Sequence, residues 1–170
     1  MYQSIRTEIS GHVGILWLNR PDARNAMDSH MWDEIPLAMA AFDGDETVRA
    51  VIVQGEGPSF TAGIDLKEFG ASMAGDLSKV DGSAVRKRLD EYHQIKRLQA
   101  SFTSIADSRK PAIAAIHGAC IGAGVDLITA CDIRIASEDA VFSVRETRLG
   151  LVADVGTMQR LPRVIGAGQA

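Results

Sequence analysis

Three carboxylates stand in or next to otherwise apolar runs of one short part of the chain: Asp126, Glu146 and Asp154. They follow a glycine-rich turn, Gly118 to Gly124, set between the apolar run PAIAAIHG and the stretch VDLITACDI. The first run reads as a short buried strand and the second as a helix. Strand, glycine turn and helix together aim unpaired backbone N–H groups at a negative centre. Glycine lets the main chain approach a ligand, and the first N–H groups of a helix have no internal partner. Such a turn beside carboxylates suits a carbonyl compound whose enolate is stabilised while protons move. Each acid also has a plainer role. Asp126 can serve the dipole of its own helix, Glu146 can pair with Arg145 or Arg148, and Asp154 can cap the last helix. Their joint presence within residues 126–154 favours the chemical reading.

Other chemistries find less support. His12, His30, His93 and His117 show no ligand spacing with each other or with the cysteines, so no metal site is expected. His117 ends an apolar strand and reads as structural. No G-x-S-x-G elbow is present, which leaves a hydrolase triad without its nucleophile. GACIGAG falls short of the dinucleotide fingerprint and lacks its acidic partner. Cys120 and Cys131 read as reduced core residues of a cytoplasmic protein, since MYQSIRTEIS has no signal layout. A net charge of −4 argues against general nucleic-acid binding. No apolar run is long enough for a membrane helix. The basic stretch VRKRLDEYHQIKRLQ suits either a phosphorylated small molecule or a solvated helix face.

The elements that must carry these residues follow from periodicity. With 46% hydrophobic and 24% charged residues, the 170-residue chain is expected to form one soluble domain, or most of one. SIRTEIS and HVGILWLN alternate as two strands of an antiparallel hairpin broken at Gly11. Asp28 or Ser29 can cap a helix carrying Met31, Ile35, Leu37 or Ala38, and Phe42, with Pro36 kinking it or marking its true first turn. Ala50 to Gln54 reads as a buried strand. Ala71 to Gly82 reads as a mobile loop. From Ala84 to Ala106 a helix is expected, its stripe of Val85, Leu89, Tyr92, Ile95, Leu98, Phe102 and Ile105 facing the core. Strands at 133–136 and 140–144 precede a last helix disturbed by Pro162. Strand pairs alternating with helices give an α/β domain of ββα units.

LNRPDARNAM (18–27), AGIDL (62–66), HGACIGAGVDLITACDIRIAS (117–137) and FSVRETRLGLVADVGTMQRLPRVIG (142–166) together resemble the enoyl-CoA hydratase/isomerase, or crotonase, family. The three acids are similar to those of its Δ3,5-Δ2,4-dienoyl-CoA isomerase branch; ordinary hydratases carry Glu at the position of Asp126 and Gly at that of Asp154. The resemblance implies a spiral of ββα units that binds an acyl-CoA thioester, with no cofactor beyond the coenzyme A of the substrate. It places the thioester oxygen on the N–H groups of Ile64 and Ala123, with Gly124 beside the latter; Ala123 departs from the usual Gly. Ala62, Gly63, Ile64, Asp65 and Leu66 would line the adenine end, and residues around Arg24 to Ala26 would touch the phosphates. Asp154 would take a proton near C2, Glu146 would return one near C6, and Asp126 would hydrogen-bond Glu146. Acids this close should titrate together, at least one of them raised. Hydration of a 2-enoyl-CoA by Asp126 and Glu146 is the alternative, and a non-catalytic acyl-CoA binder a third. Members continue into a C-terminal helical part that builds a trimer or dimer of trimers, so residues 1–170 are expected to be the spiral core alone.

Overall fold

The computed structural model describes residues 1–73 and 82–170. Its main sheet holds β1 (Ile5–Ser10), β2 (Val13–Leu18), β3 (Ala50–Gly55), β4 (Ala112–Ile116) and β6 (Ile133–Ala136), in that spatial order. The β1–β2 hairpin is antiparallel and the remaining pairs are parallel. A second, small sheet pairs β5 (Ala119–Ile121) with β7 (Val141–Ser143), and Thr61 adds a rung to it opposite Cys120. Between strands run α1 (Ser29–Gly44), α2 (Leu66–Met73), α3 (Gly82–Ala106), α4 (Ala123–Ala130) and α5 (Thr157–Ile165). The units β4–β5–α4 and β6–β7–α5 each give one strand to the large sheet, one to the small sheet and then a helix, while the first unit puts both β1 and β2 in the large sheet before α1. This is the expected spiral of ββα units.

The large sheet is held by period-two burial. Leu16 of β2, Val53 of β3 and Ala114 of β4 lie side by side in register and are fully buried. Helix α1 covers them with Met31, Trp32, Ile35, Ala38, Met39 and Phe42. Gly14 makes room for this: a Cβ there would lie 2.7 Å from the Phe42 ring. Asp28 caps α1, its Oδ1 accepting from Met31 N at 2.9 Å. Pro36 therefore sits inside the helix, not in its first turn, and Ala38, not Leu37, faces the core.

Three sequence expectations are corrected here. The glycine run hides a strand, β5, and α4 begins at Ala123, so Gly124 lies inside the helix. Of the expected mobile loop, Ala71–Met73 end α2 and Gly82 opens α3; the rest lies outside the described residues. The apolar stripe of α3 enters the core only at its C-terminal end. Phe102 and Ile105 are buried, with the Phe102 ring 4.9 Å from that of Trp32, whereas Val85, Leu89 and Tyr92 are 71%, 54% and 54% exposed. Length explains this: 25 residues span roughly 37 Å, well beyond the ~24 Å of the 16-residue α1 against which α3 packs. Among the described residues no helix is long and apolar enough to cross a membrane.

The chain start is tied down by one buried acid on α1. Glu34 accepts from the peptide N–H groups of Gln3 (2.6 Å), Ser4 (2.9 Å) and Ile5 (3.1 Å). Glu34→Ala strands these donors and is expected to cost about 3 kcal/mol. The midpoint of urea unfolding reads this directly.

Candidate active site

The loop before α1 and the segment after β3 are stitched together by buried polar contacts. Arg24 and Asn25 both have left-handed backbones, φ 51° and 54°, a conformation asparagine tolerates better than most residues. The Asn25 side chain accepts from Arg20 N and donates to the carbonyls of Glu56 and Ser59, each at 2.8 Å. Thr61 Oγ1 donates to Asn25 O at 2.6 Å and accepts from Gly63 N at 3.1 Å. Arg20 then bridges two carboxylates, Asp28 at 3.1 Å and Asp65 at 2.9 Å. That guanidinium holds the Asp65 carboxyl below its ordinary range. The N–H and carbonyl of Asp65 are also engaged within the protein, which makes it part of the scaffold; Ala62, Leu66 and Arg24 keep exposed side chains, and Ala26 is half-buried.

This scaffold turns one peptide outward. Ala62 N donates to Arg24 O and Asp65 N to Met27 O, so both face the same side of the segment. Strict alternation would separate residues three apart. The phase shifts at Gly63, whose φ of 91° only glycine adopts readily. Ile64 N lies between the two and has no acceptor among the described residues. A Cβ on Gly63 would lie 2.8 Å from Ile121 O and 3.6 Å from Ala123 N. Ile64 is therefore brought beside the start of α4, where the N–H of Ala123 is likewise unpaired among the described residues. Gly124 is glycine for packing: a Cβ there would lie 2.5 Å from the Thr61 methyl.

The acids close the other side. Asp126 is completely buried in the first turn of α4, but it does not serve that helix: Gly122 holds the N-cap position, and Asp126 Oδ1 accepts from Thr157 N at the start of α5. Its Oδ2 has no hydrogen-bond partner among the described residues. Glu146 lies in the short 3-10 turn Glu146–Leu149. The position a Cβ of Gly122 would take is 3.0 Å from Glu146 Oε1, and Oε2 is buried and unpaired. The expected pairing with Arg145 or Arg148 does not form, and no hydrogen bond joins Glu146 to Asp126. Asp154 is exposed in the turn before α5 and does not cap it, since Gly156 occupies that position. Its carbonyl is held by Gln99 Nε2 of α3 at 2.7 Å.

Burial pushes both Asp126 and Glu146 above the ordinary carboxylate range. The Asp154 charge adds to both shifts, and that of Asp126 adds to Glu146. Asp126 and Glu146 thus both stand in the field of neighbouring carboxylates. Burial also pushes the thiols of Cys120 and Cys131 up to about 12, consistent with reduced core residues. His117 Nε2 meets Gly57 O at 2.8 Å, a structural role. Gln99, Thr157 and the Arg20–Asn25 network were not anticipated; Asn25 within a Pro-containing turn was the one available signal.

A carboxyl raised by burial is stabilised as its protonated form. That contribution is fully present below the unfolded-state value and is lost as pH rises through the higher folded-state value. Asp126→Asn and Glu146→Gln should therefore gain stability relative to the parent as pH rises through and above the ordinary carboxylate range. Urea midpoints compared across that range test it; a constant difference would show that the shifts are absent.

Comparison with known proteins agrees with this geometry. Residues 8–170 match the family model described as enoyl-CoA hydratase/isomerase. The mitochondrial Delta(3,5)-Delta(2,4)-dienoyl-CoA isomerase of Rattus norvegicus is 49% identical over 97% of this chain and 50% of its own length. The peroxisomal Delta(3,5)-Delta(2,4)-dienoyl-CoA isomerase of Arabidopsis thaliana is 45% identical over 98% of this chain and 59% of its own. Both names place those proteins in organelles, whereas the sequence reading for this chain was cytoplasmic. A Thermobifida fusca YX protein solved in complex with acetoacetyl-CoA superposes with a TM-score of 0.80 at 35% identity, over 98% of this chain and 63% of that one. The chain spans about half the length of the rat relative. With a matched model over nearly all its length and a ββα spiral to match, the chain belongs to the enoyl-CoA hydratase/isomerase family.

Proposed function

We propose that the full-length protein isomerises 3,5-dienoyl-CoA to 2,4-dienoyl-CoA. The observation that carries this is the grouping of three acids, Asp126 buried and Glu146 half-buried with no ion pair among the described residues, near two outward N–H groups. The thioester oxygen sits on the N–H groups of Ile64 and Ala123. Removal of a C2 proton leaves a dienolate whose charge reaches that oxygen, and each preorganised donor contributes about 3 kcal/mol to holding it. Asp154, exposed in the turn before α5, takes the C2 proton. Glu146, raised toward its protonated form, delivers one at C6, and the double bonds move from 3,5 to 2,4. Exposed Arg24 and the Ala62–Leu66 segment face the coenzyme. The names of the rat and Arabidopsis relatives support this reaction, and the acetoacetyl-CoA bound by the Thermobifida protein supports the substrate class.

The test gives the full-length protein a 3,5-dienoyl-CoA and a 2-enoyl-CoA side by side, followed by absorbance and product chromatography. Turnover of the first supports the proposal; hydration of the second alone replaces it with hydratase chemistry, and binding without turnover with a non-catalytic role. Asp154→Asn is expected to lower dienoyl isomerisation at least about a hundredfold with the fold intact, the usual size of a lost general base.

A further inference from the structure

Asp154 lies on a loop that has few ties to the rest of the protein. Residues 150–156 join the 3-10 turn to α5, and glycines of positive φ bound them, Gly150 at 68° and Gly156 at 142°. Leu151 N donates to Glu146 O and Asp154 N to Val152 O, each at 2.9 Å. Both bonds are local and leave the loop free to move as a unit. Among the described residues, one hydrogen bond joins it to an element remote in sequence: Gln99 Nε2 of α3 donates to Asp154 O at 2.7 Å. We propose that Gln99 is a positioning residue that aims the Asp154 carboxylate by holding the main chain of that residue. This rests on the reading in which Asp154 takes the C2 proton.

A second anchor is needed because the first lies beyond a glycine. Thr157 N, bonded to Asp126 Oδ1, ties the start of α5 to α4. Between it and Asp154 stands Gly156, and glycine's wide conformational range means that fixing Thr157 does not fix the direction of Asp154. Gln99 supplies what is missing. It stands three residues before Phe102, on the same side of α3. Phe102 is buried, its ring 4.9 Å from that of Trp32, so the donor grows from the part of α3 that is packed against α1. A carbonyl oxygen only accepts, which settles that the Gln99 amide presents its nitrogen. The Asp154 N–H belongs to one peptide plane and its carbonyl to the next, and both are now engaged. With the two planes flanking its Cα held, the carboxylate has only its own side-chain rotamers left to explore.

Gln99→Met keeps the length of the side chain and removes the donor. In the full-length protein it is expected to lower kcat for the dienoyl substrate by about ten- to a hundredfold, the scale of a displaced catalytic group, with KM within about twofold. A merely structural brace would act whether or not Asp154 carries its carboxylate. The same substitution is therefore made in Asp154→Asn, where its effect should shrink to less than about twofold, because residues that act as a unit are not additive. Hydrogen–deuterium exchange over residues 150–156, read by mass spectrometry, should quicken about two- to tenfold in Gln99→Met, the factor one lost hydrogen bond supplies, while residues 29–44 of α1 keep their protection. An unchanged kcat, an equal loss in both backgrounds, or unchanged loop exchange overturns the proposal. Should the methionine variant not fold, Gln99→Ala removes the same donor with a strong helix former and is read identically. Exchange needs no turnover. A parent without isomerase activity, or Asp154→Asn with full activity, would thus count against the isomerase reading, while loop exchange still decides whether Gln99 holds Asp154.

Discussion

A carboxyl group sealed from water without a cation to meet it is costly to ionise, by several kcal/mol for an unpaired charge. This chain holds one, Asp126 on α4, beside the half-buried Glu146 on the turn after β7. A purely structural design would replace Asp126 with an apolar residue and leave Thr157 N to water or a local cap. Instead the carboxylate reaches from α4 to the first peptide of α5, and α5 begins where that bond holds it. The packing of the last helix is therefore bound to the protonation of the site. Stability is given up where proton affinity has to be raised, a trade common where acids and bases work.

The side with the two outward N–H groups obeys a different constraint. Neither Ile64 nor Ala123 supplies a side chain to it; both offer a main-chain N–H, so backbone direction matters more than residue type. That direction comes from residues remote in sequence. Asn25 and Thr61 clamp the segment, Gly63 reverses one peptide, and the clash its absent Cβ would make with Ile121 O shows how closely the two chains run. Ala123 in place of a glycine is compatible with this, because a methyl leaves the N–H where it was.

Much of the fold was legible because β2, β3 and β4 alternate cleanly, and because α1 carries its capping Asp28. Strand β5 was not, since three residues inside a glycine run hold too little periodicity. The stripe on α3 was legible as a stripe, but periodicity reports which face is apolar and not where its partner ends. The acids were legible only jointly, through family resemblance, because their spacing spans a helix, a 3-10 turn and a loop. Their local roles were misread for a geometric reason: a side chain's sequence neighbours are seldom its spatial ones. Glu146 turns toward Gly122 and forms no ion pair with the adjacent arginines, and Asp126 serves the next helix, α5, in place of its own. Thr157 and Gln99 carry no signal in isolation, being ordinary residues whose meaning lies in what they touch.

The two outward N–H groups belong to segments separated by the whole of α3, and the acids follow later still. During synthesis from the N-terminus, the hairpin, α1 and β3 can assemble while Ala123 is still within the ribosome. Until β5 emerges and pairs with the Thr61 segment, Ile64 is an ordinary loop residue. Until Thr157 follows, Asp126 has no peptide to hold. No early folding stage can therefore bring the acids beside those N–H groups. The reactive geometry comes into being as the last strands and helix close, and a chain that stalls short of that point is chemically silent.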